Sequence, residues 1–166
     1  ILALAGELNL SGPQGVRTLA AEDFFLGPMT TAIEATEILT EIRVPASPRR
    51  YGSAYLKMPQ QASGFAIVGV AVSLQIGREG RCEEIGVGVT GLGGQPFRAR
   101  AVEERLRENK LTAKLIVESA ARVAEGSDPL EDLHASAKFR AHLAQVYTSR
   151  ALQEAVKRAV GRKSKN

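Results

Sequence analysis

Cysteine is almost absent from these 166 residues, with Cys82 alone. One thiol excludes a disulfide framework and a cysteine-built metal site, and a reducing cytoplasm is the simplest compartment for such a chain. Tryptophan is missing, and the aromatic residues are five Phe and three Tyr, so stacking on nucleic-acid bases has little to draw on. The longest apolar run, Phe65 to Leu74, carries Ser73 and glycines and is too short to span a bilayer. The opening ILALAGELNL lacks the basic n-region of a signal peptide and has no initiator Met. It reads as a start in mid-strand, which predicts the C-terminal part of a longer polypeptide. Histidine is scarce too: His134 and His142 stand eight apart with no Cys or second acidic ligand at metal spacing, so no metal site is expected.

What is present is globular in character, at 44% hydrophobic and 24% charged, and the length suits one domain or two small ones. The net charge is +4, with Lys157, Arg158, Arg162, Lys163 and Lys165 crowding the C-terminus. A basic tail of this kind can bind nucleic acid or anionic lipid. Mixed charge elsewhere favours a solvated helix end, where cations suit the macrodipole. Neither a nucleic-acid partner nor a membrane span is therefore expected.

Along the chain, alternation through Leu8 and Leu10, a Gly12-Pro13-Gln14-Gly15 turn and renewed alternation from Val16 predict a hairpin over residues 4 to 20. Asp23-Phe24-Phe25-Leu26 reads as a short turn burying two rings. EILTEIRV, Glu37 to Val44, reads as a strand with Ile38, Thr40, Ile42 and Val44 on one face. PASPRRYG is the best linker, so a boundary is placed near Arg50, dividing the chain into residues 1–50 and 51–166. Three strand-like segments follow: Gly52 to Met58, Ala66 to Ile76 and Cys82 to Thr90. Helical periodicity then covers Phe97 to Glu108, Thr112 to Glu125 with Thr112 as N-cap, and Ser136 to Val160 with a kink near Thr148-Ser149. Phe139, Leu143, Val146 and Tyr147, then Leu152, Val156 and Val160, supply the last helix's apolar stripes. Glu103 with Arg107, Glu118 with Arg122, and Glu154 with Arg158 are spaced as i,i+4 pairs. The pattern is α+β: a small three-stranded antiparallel sheet followed by a helical bundle.

Gly86-Val87-Gly88-Val89-Thr90-Gly91 spells G-x-G-x-x-G, but the glycines alternate with Ile85, Val87 and Val89 inside a strand. A dinucleotide fingerprint needs them in the turn that opens a helix, so a glycine-rich sheet strand is the better reading. Ser63, in A-S-G-F, lacks the G-x-S-x-G frame and a partner base. No catalytic residue is assigned. Lys57 stays open between two readings. It is either a strand lysine whose stem packs while its ammonium reaches water, or a cation set beside a loop of small and polar residues, Gln60 to Gly64, that admits an anionic or polar ligand.

Four blocks carry a resemblance: EILTEIRVP, YLKMPQQASGFAIVGVAV, TGLGGQPFRARAVE and DLHASAKFRAHLAQVYTSRAL. In this order they resemble the FAD-binding medium subunit of molybdenum hydroxylases, of the carbon monoxide dehydrogenase and xanthine dehydrogenase type. The resemblance covers nearly the whole chain. It implies the end of an FAD-binding subdomain over residues 1–50 and the subunit's C-terminal domain from there on. It implies FAD as cofactor, with the molybdenum cofactor on a large partner subunit and iron–sulfur clusters on a small one. Electrons would pass from the clusters through the flavin to an external acceptor. Carried over by position, Ile38 and Leu39 match strand residues at the cofactor. Lys57 matches a lysine whose ammonium lies near it, and Phe65 an aromatic, often Tyr, against the isoalloxazine. Gly64 stands where other members often have an acidic residue. A second reading makes the sheet-and-bundle part a subunit-docking module with Lys57 an ordinary surface cation. A third, nucleic-acid binding, rests on the basic tail alone and predicts a steep salt dependence.

The resemblance gives Lys57 a physical role, because reduction places negative charge on the flavin and a nearby cation raises its potential. At ~4 Å and an effective dielectric near 20 that attraction is at most about 4 kcal/mol. Nanomolar binding takes about 12 kcal/mol. The family's glycine-rich pyrophosphate loops are not among these residues, so the chain by itself is expected to hold FAD weakly or not at all.

Overall fold

The computed structural model describes residues 1–161, so Arg162, Lys163 and Lys165 of the basic tail lie outside the described residues. A 3-10 turn, Leu2–Leu4, leads into β1 (Glu7–Gly12) and β2 (Gly15–Ala20). Gly15 reverses the chain between them at φ +111, a conformation open to glycine. A short α1 (Ala21–Phe24), β3 (Phe25–Gly27) and β4 (Thr30–Thr31) follow, and then β5 (Ile38–Arg43) returns to pair with β1. The resulting antiparallel sheet has the order β2-β1-β5. Its core is Leu8, Leu10, Ala21 and Phe24, with Leu39 packed against them. Phe24 and Phe25 meet edge to face at 5.1 Å.

The simple alternation expected for β5 does not hold. Leu10 faces Leu39 and Asn9 faces Glu41, so Thr40 is an extra residue. A bulge of this kind reverses the side-chain parity. Ile42 therefore shares a face with Leu39, while Ile38 points the other way and is 71% exposed.

The second sheet is built from β6 (Tyr51–Pro59), β7 (Ala66–Ile76), β8 (Cys82–Thr90) and β9 (Phe97–Arg98), antiparallel and in that order. The three long strands are those read from the sequence. The fourth is an addition, because Phe97 and Arg98 pair with Val89 and Gly88 instead of opening a helix. Helix α2 (Arg100–Leu106) therefore starts later than expected. Helix α3 (Ala113–Ala120) is capped by Thr112 Oγ1, which accepts the Leu115 N–H at 3.2 Å, and it ends five residues earlier than the periodicity implied. Helix α4 (Ala137–Gly161) runs through Thr148-Ser149 without a break in the helix.

One face of the second sheet carries Ala54, Val68, Val70, Val72, Leu74, Ile85, Val87 and Val89 against Leu106, Ile116, Val123 and Leu152 of the helical layer. The buried stripe of α4 is Leu143, Ala144, Thr148, Ala151, Leu152, Ala155 and Ala159. Phe139 and Val160, expected inside, are exposed. Alanine wins these positions because the helix backbone lies almost on β6. A Cβ at Gly52 would fall on the Ala155 carbonyl oxygen and 2.7 Å from the Ala159 nitrogen.

Two of the three helix ion pairs read from spacing are replaced by tertiary ones. Glu103, 1% exposed, takes both Arg98 Nε and the Val87 N–H at 2.8 Å. Glu118 meets Arg105 at 2.9 Å, and Arg122 turns to Glu125 at 2.7 Å. Glu154 and Arg158 pair as spaced, at 2.9 Å. Glu22 of α1 grips Arg100 at 2.6 Å and Arg98 at 3.4 Å, which ties the two sheets' surroundings together.

Candidate functional site

Strand register puts two rows of side chains on the second sheet's other face. Lys57, Gly69 and Thr90 stand opposite one another across β6, β7 and β8, and so do Tyr55, Ala71 and Gly88. Small residues dominate because something must fit above them. Above Gly86 and Gly88 it is the Leu2–Leu4 turn: a Cβ at Gly86 would fall on the Ala3 carbonyl, and one at Gly88 would lie 3.2 Å from the Ala3 nitrogen. Gly86 and Gly88 are thus packing glycines of a strand interior, as their alternation implied, whereas Gly91 stands just past β8 at φ +75.

Beside that turn the face opens into a cleft of about 430 Å³. Gly69, Ala71 and Gly88 form its floor, Tyr55 and Thr90 flank it, and Ile1, Phe25 and Pro96 overhang it. The Tyr55 ring leans across Gly69, where a Cβ would meet the hydroxyl at 2.7 Å. The cleft is mostly apolar and of the size that takes a small ligand ring system. Period-two alternation along β6 puts Tyr55 on the same face as Lys57. The period-two alternation was the available signal, but Gly69 became part of the floor only once register was known.

Lys57 is exposed at the end of its row, and its ammonium donates to the Gly64 carbonyl at 2.7 Å. The Gln60 to Phe65 loop is organised around Gln60. The Gly64 N–H donates to the Gln60 carbonyl at 2.8 Å, and the Gln60 N–H to the Phe65 carbonyl at 2.7 Å. Gln60 Oε1 accepts the Ser63 N–H at 2.6 Å and also its hydroxyl. Gly64 sits at φ +72, a left-handed conformation that favours glycine over the acidic residue common in the resembled family. The loop delivers Phe65 to the surface, 79% exposed. An ammonium has three donors, so Lys57 can hold the loop and still meet a second acceptor. Lys57 and Phe65 are both exposed; neither lines the cleft itself, and Lys57 reaches it only through the row it shares with Gly69.

Ile38 and Leu39 are elsewhere, on β5 in the first sheet, Ile38 exposed and Leu39 turned toward the core. Just before them, Arg17 holds Glu37 through two bonds of 2.6 and 2.7 Å. That guanidinium, with the Glu34 N–H, lowers the Glu37 carboxyl to about 2. Ser63 serves the loop's internal bonding. His134 lies in the segment before α4, its N–H on Asp132 Oδ1 at 2.9 Å, and His142 is exposed on α4. Cys82 is buried, and burial pushes its thiol up to about 11. Among the described residues no helix is long and apolar enough to cross a membrane.

Two family models match successive parts of the chain. Residues 53–155 match the CO dehydrogenase flavoprotein C-terminal domain, and residues 1–47 match the FAD binding domain in molybdopterin dehydrogenase. The glyceraldehyde dehydrogenase medium chain of Sulfolobus acidocaldarius is 31% identical over 154 residues, which is 93% of this chain and 54% of the relative. The carbon monoxide dehydrogenase medium chain of Afipia carboxidovorans is 31% identical over 156 residues, 94% of this chain and 54% of the relative. Among solved structures, a carbon monoxide dehydrogenase from Hydrogenophaga pseudoflava that lacks the Mo-pyranopterin moiety superimposes with a TM-score of 0.89 at 32% identity. It covers 95% of this chain and 54% of that one. Reconstituted CO dehydrogenase from Oligotropha carboxidovorans gives 0.88 at 30% identity, over 95% and 55%. The chain thus spans about half the length of the curated relatives it matches.

Proposed function

Because the chain belongs to the FAD-binding medium subunits of the molybdenum hydroxylases, we propose that it serves as the flavin-edge part of an electron-transfer flavoprotein. Lys57, Phe65 and Ile38 would border bound FAD, which would supply electron carriage between iron–sulfur clusters on a small partner subunit and an external acceptor, substrate oxidation belonging to molybdenum on a large subunit. The observation that carries this reading is the pair of family matches in chain order, residues 1–47 and 53–155. Residues 1–50 act as the closing piece of the FAD-binding unit, and 51–166 as the domain set against the cofactor's reactive ring. The working compartment is the cytoplasm.

Each site residue has a physical part. Lys57 pins the loop through Gly64 and presents positive charge where flavin reduction builds negative charge. Phe65 offers an exposed ring whose burial against a flat cofactor contributes about 1.5–3 kcal/mol. Ile38, exposed on the first sheet, meets the cofactor from there, and Leu39 anchors that strand in the core behind it. Tyr55 and the Gly69 floor keep water from one side of it. These contributions fall short of the ~12 kcal/mol of nanomolar binding, so the remaining grip comes from segments of the kind found in the relatives' other half.

The test is absorbance. Co-expressed with its partner subunits in a full-length medium subunit, this sequence yields one FAD per subunit, and the 166-residue chain alone yields little or none. A complex assembled without flavin refutes the proposal, and tight one-to-one FAD on the chain alone refutes the division of binding. A docking role is supported by exposed Leu133 and Phe139 beside the bundle. Lys57→Ala with FAD retained and assembly lost would favour it over a cofactor role.

A further inference from the structure

Arg140 is a long cation of α4 that is only 4% exposed. One terminal nitrogen donates to the Ile67 carbonyl at 2.5 Å and the Gly91 carbonyl at 2.8 Å, and the other to Asp132 Oδ2 at 2.6 Å. Its Nε is buried with no partner. Burying such a charge is expensive, and well-packed apolar side chains generally stabilise a core as well or better. What a guanidinium adds is geometry: a rigid planar fork that fixes several acceptors at once.

The acceptors it fixes border the candidate site. Ile67 lies two residues after Phe65, at the start of β7, and Gly91 follows Thr90, which flanks the cleft. The two backbones are pressed together there. Gly91 sits at φ +75, and a Cβ on it would come within 2.6 Å of the Ile67 carbonyl and 2.8 Å of the Ala66 carbonyl. Asp132 is itself held, its Oδ1 accepting the His134 and Ala135 N–H groups at 2.9 and 3.1 Å. The Leu130 N–H on the Leu92 carbonyl, at 2.8 Å, closes the ring of contacts. A helix on the bundle side of the sheet thus sets the backbone on the cofactor side.

We infer that Arg140, braced by Asp132, is a positioning residue that sets the Phe65 ring and the Thr90 edge for the flavin, an inference that rests on the function proposed above. The test uses the assembled flavoprotein and reads the FAD dissociation constant, the visible circular dichroism of the flavin, and Tm. Phe65→Ala weakens FAD about tenfold and changes the flavin dichroism. Arg140→Lys keeps the charge but not the fork; it reproduces most of both effects while still binding partners. The double variant Phe65→Ala/Arg140→Lys is within about twofold of Phe65→Ala alone, the non-additivity expected of one shared pathway. If Arg140→Lys does not fold, Asp132→Asn, which removes the surface brace alone, carries the same comparison. A lowered Tm with unchanged flavin dichroism and affinity, or additive effects in the double variant, overturns the inference while leaving the proposed function standing. No flavin effect from Phe65→Ala overturns the inference and removes Phe65 from the site, whereas a complex assembled without flavin overturns the proposed function as well.

Discussion

Replacing Lys57 separates its two jobs, and the expected size of each can be worked out. If its ammonium stands ~4 Å from the reduced flavin edge at an effective dielectric near 20, the attraction has a ceiling of about 4 kcal/mol. The side chain is exposed and already donates to Gly64, so water screens most of that. About 1 kcal/mol is the scale of an exposed pair. In a two-electron couple 1.4 kcal/mol corresponds to about 30 mV, so loss of the charge lowers the potential by about 20 mV, with about 85 mV as the ceiling. Lys57→Gln removes the charge but keeps a donor for the Gly64 carbonyl, whereas Lys57→Met removes both. A spectroelectrochemical titration of the holo-subunit therefore shows a similar fall in both variants, with the loop additionally loosened in Lys57→Met. The difference from wild type shrinks as salt is raised, because the Debye length drops from about 8 Å at 0.15 M to about 3 Å at 1 M. Both variants retaining FAD at an unchanged potential would refute a cation beside the flavin.

Gly69→Ala places a methyl group against the Tyr55 hydroxyl in the cleft floor; FAD affinity falls in an equilibrium titration while the far-ultraviolet spectrum stays wild type. Gly52→Ala instead drives a methyl group into the α4 backbone at Ala155. Overpacking of about 1–3 kcal/mol follows, read as a Tm lower by about 2–4 °C per kcal/mol. Glu37 titrates near 2 when folded, against an ordinary 4.5, chiefly because Arg17 hydrogen-bonds its carboxylate. The unfolded chain therefore binds the extra proton first on acidification. This contribution to stability is full above 4.5 and drains away as pH falls toward 2. Urea midpoints across that range show a shallower acid loss in Glu37→Gln; an identical pH profile would remove the pair from the account.

The long strands were legible because β-branched runs with turn signals leave little choice, as in Ala66 to Ile76. Several features were not, each for a reason of tertiary origin. The bulge at Thr40 obeys no composition rule, yet it puts Ile38 and Ile42, expected on one face, on opposite faces of the strand. The stripe of α4 was sought in Phe139 and Val160, while contact with β6 selects Ala151, Ala155 and Ala159. Glu103 was spaced for Arg107 but is taken by Arg98 from a strand that helical periodicity had absorbed. At the site, Lys57 and the Gln60 to Gly64 loop stood out as a cation beside small residues. Tyr55, Gly69 and Arg140 did not, because their significance depends on register and on a helix reaching through to β7.

The second sheet does different work on its two faces, and the division follows from side-chain size. On the bundle face, valines and leucines fill the space to the helices. On the opposite face, Gly69, Ala71, Gly86 and Gly88 withhold side-chain volume. The Leu2–Leu4 turn occupies part of the space so left, and the cleft keeps the rest. Filling the small face with larger residues would add buried apolar area and favour a tighter packing of turn on sheet. It stays small, with Lys57 at the end of the Gly69 row and Phe65 uncovered at 79%, and so leaves the room that the proposed flavin contact requires. The same strands transmit the constraint. Gly91 and Ile67 are clamped from the bundle side by Arg140, so a change in how α4 packs moves the rim of the cleft before it moves the floor. Core substitutions under β7 and β8 near Arg140 should therefore alter cofactor geometry at smaller losses of stability than equal substitutions near Gly52, at the far end of the same helix.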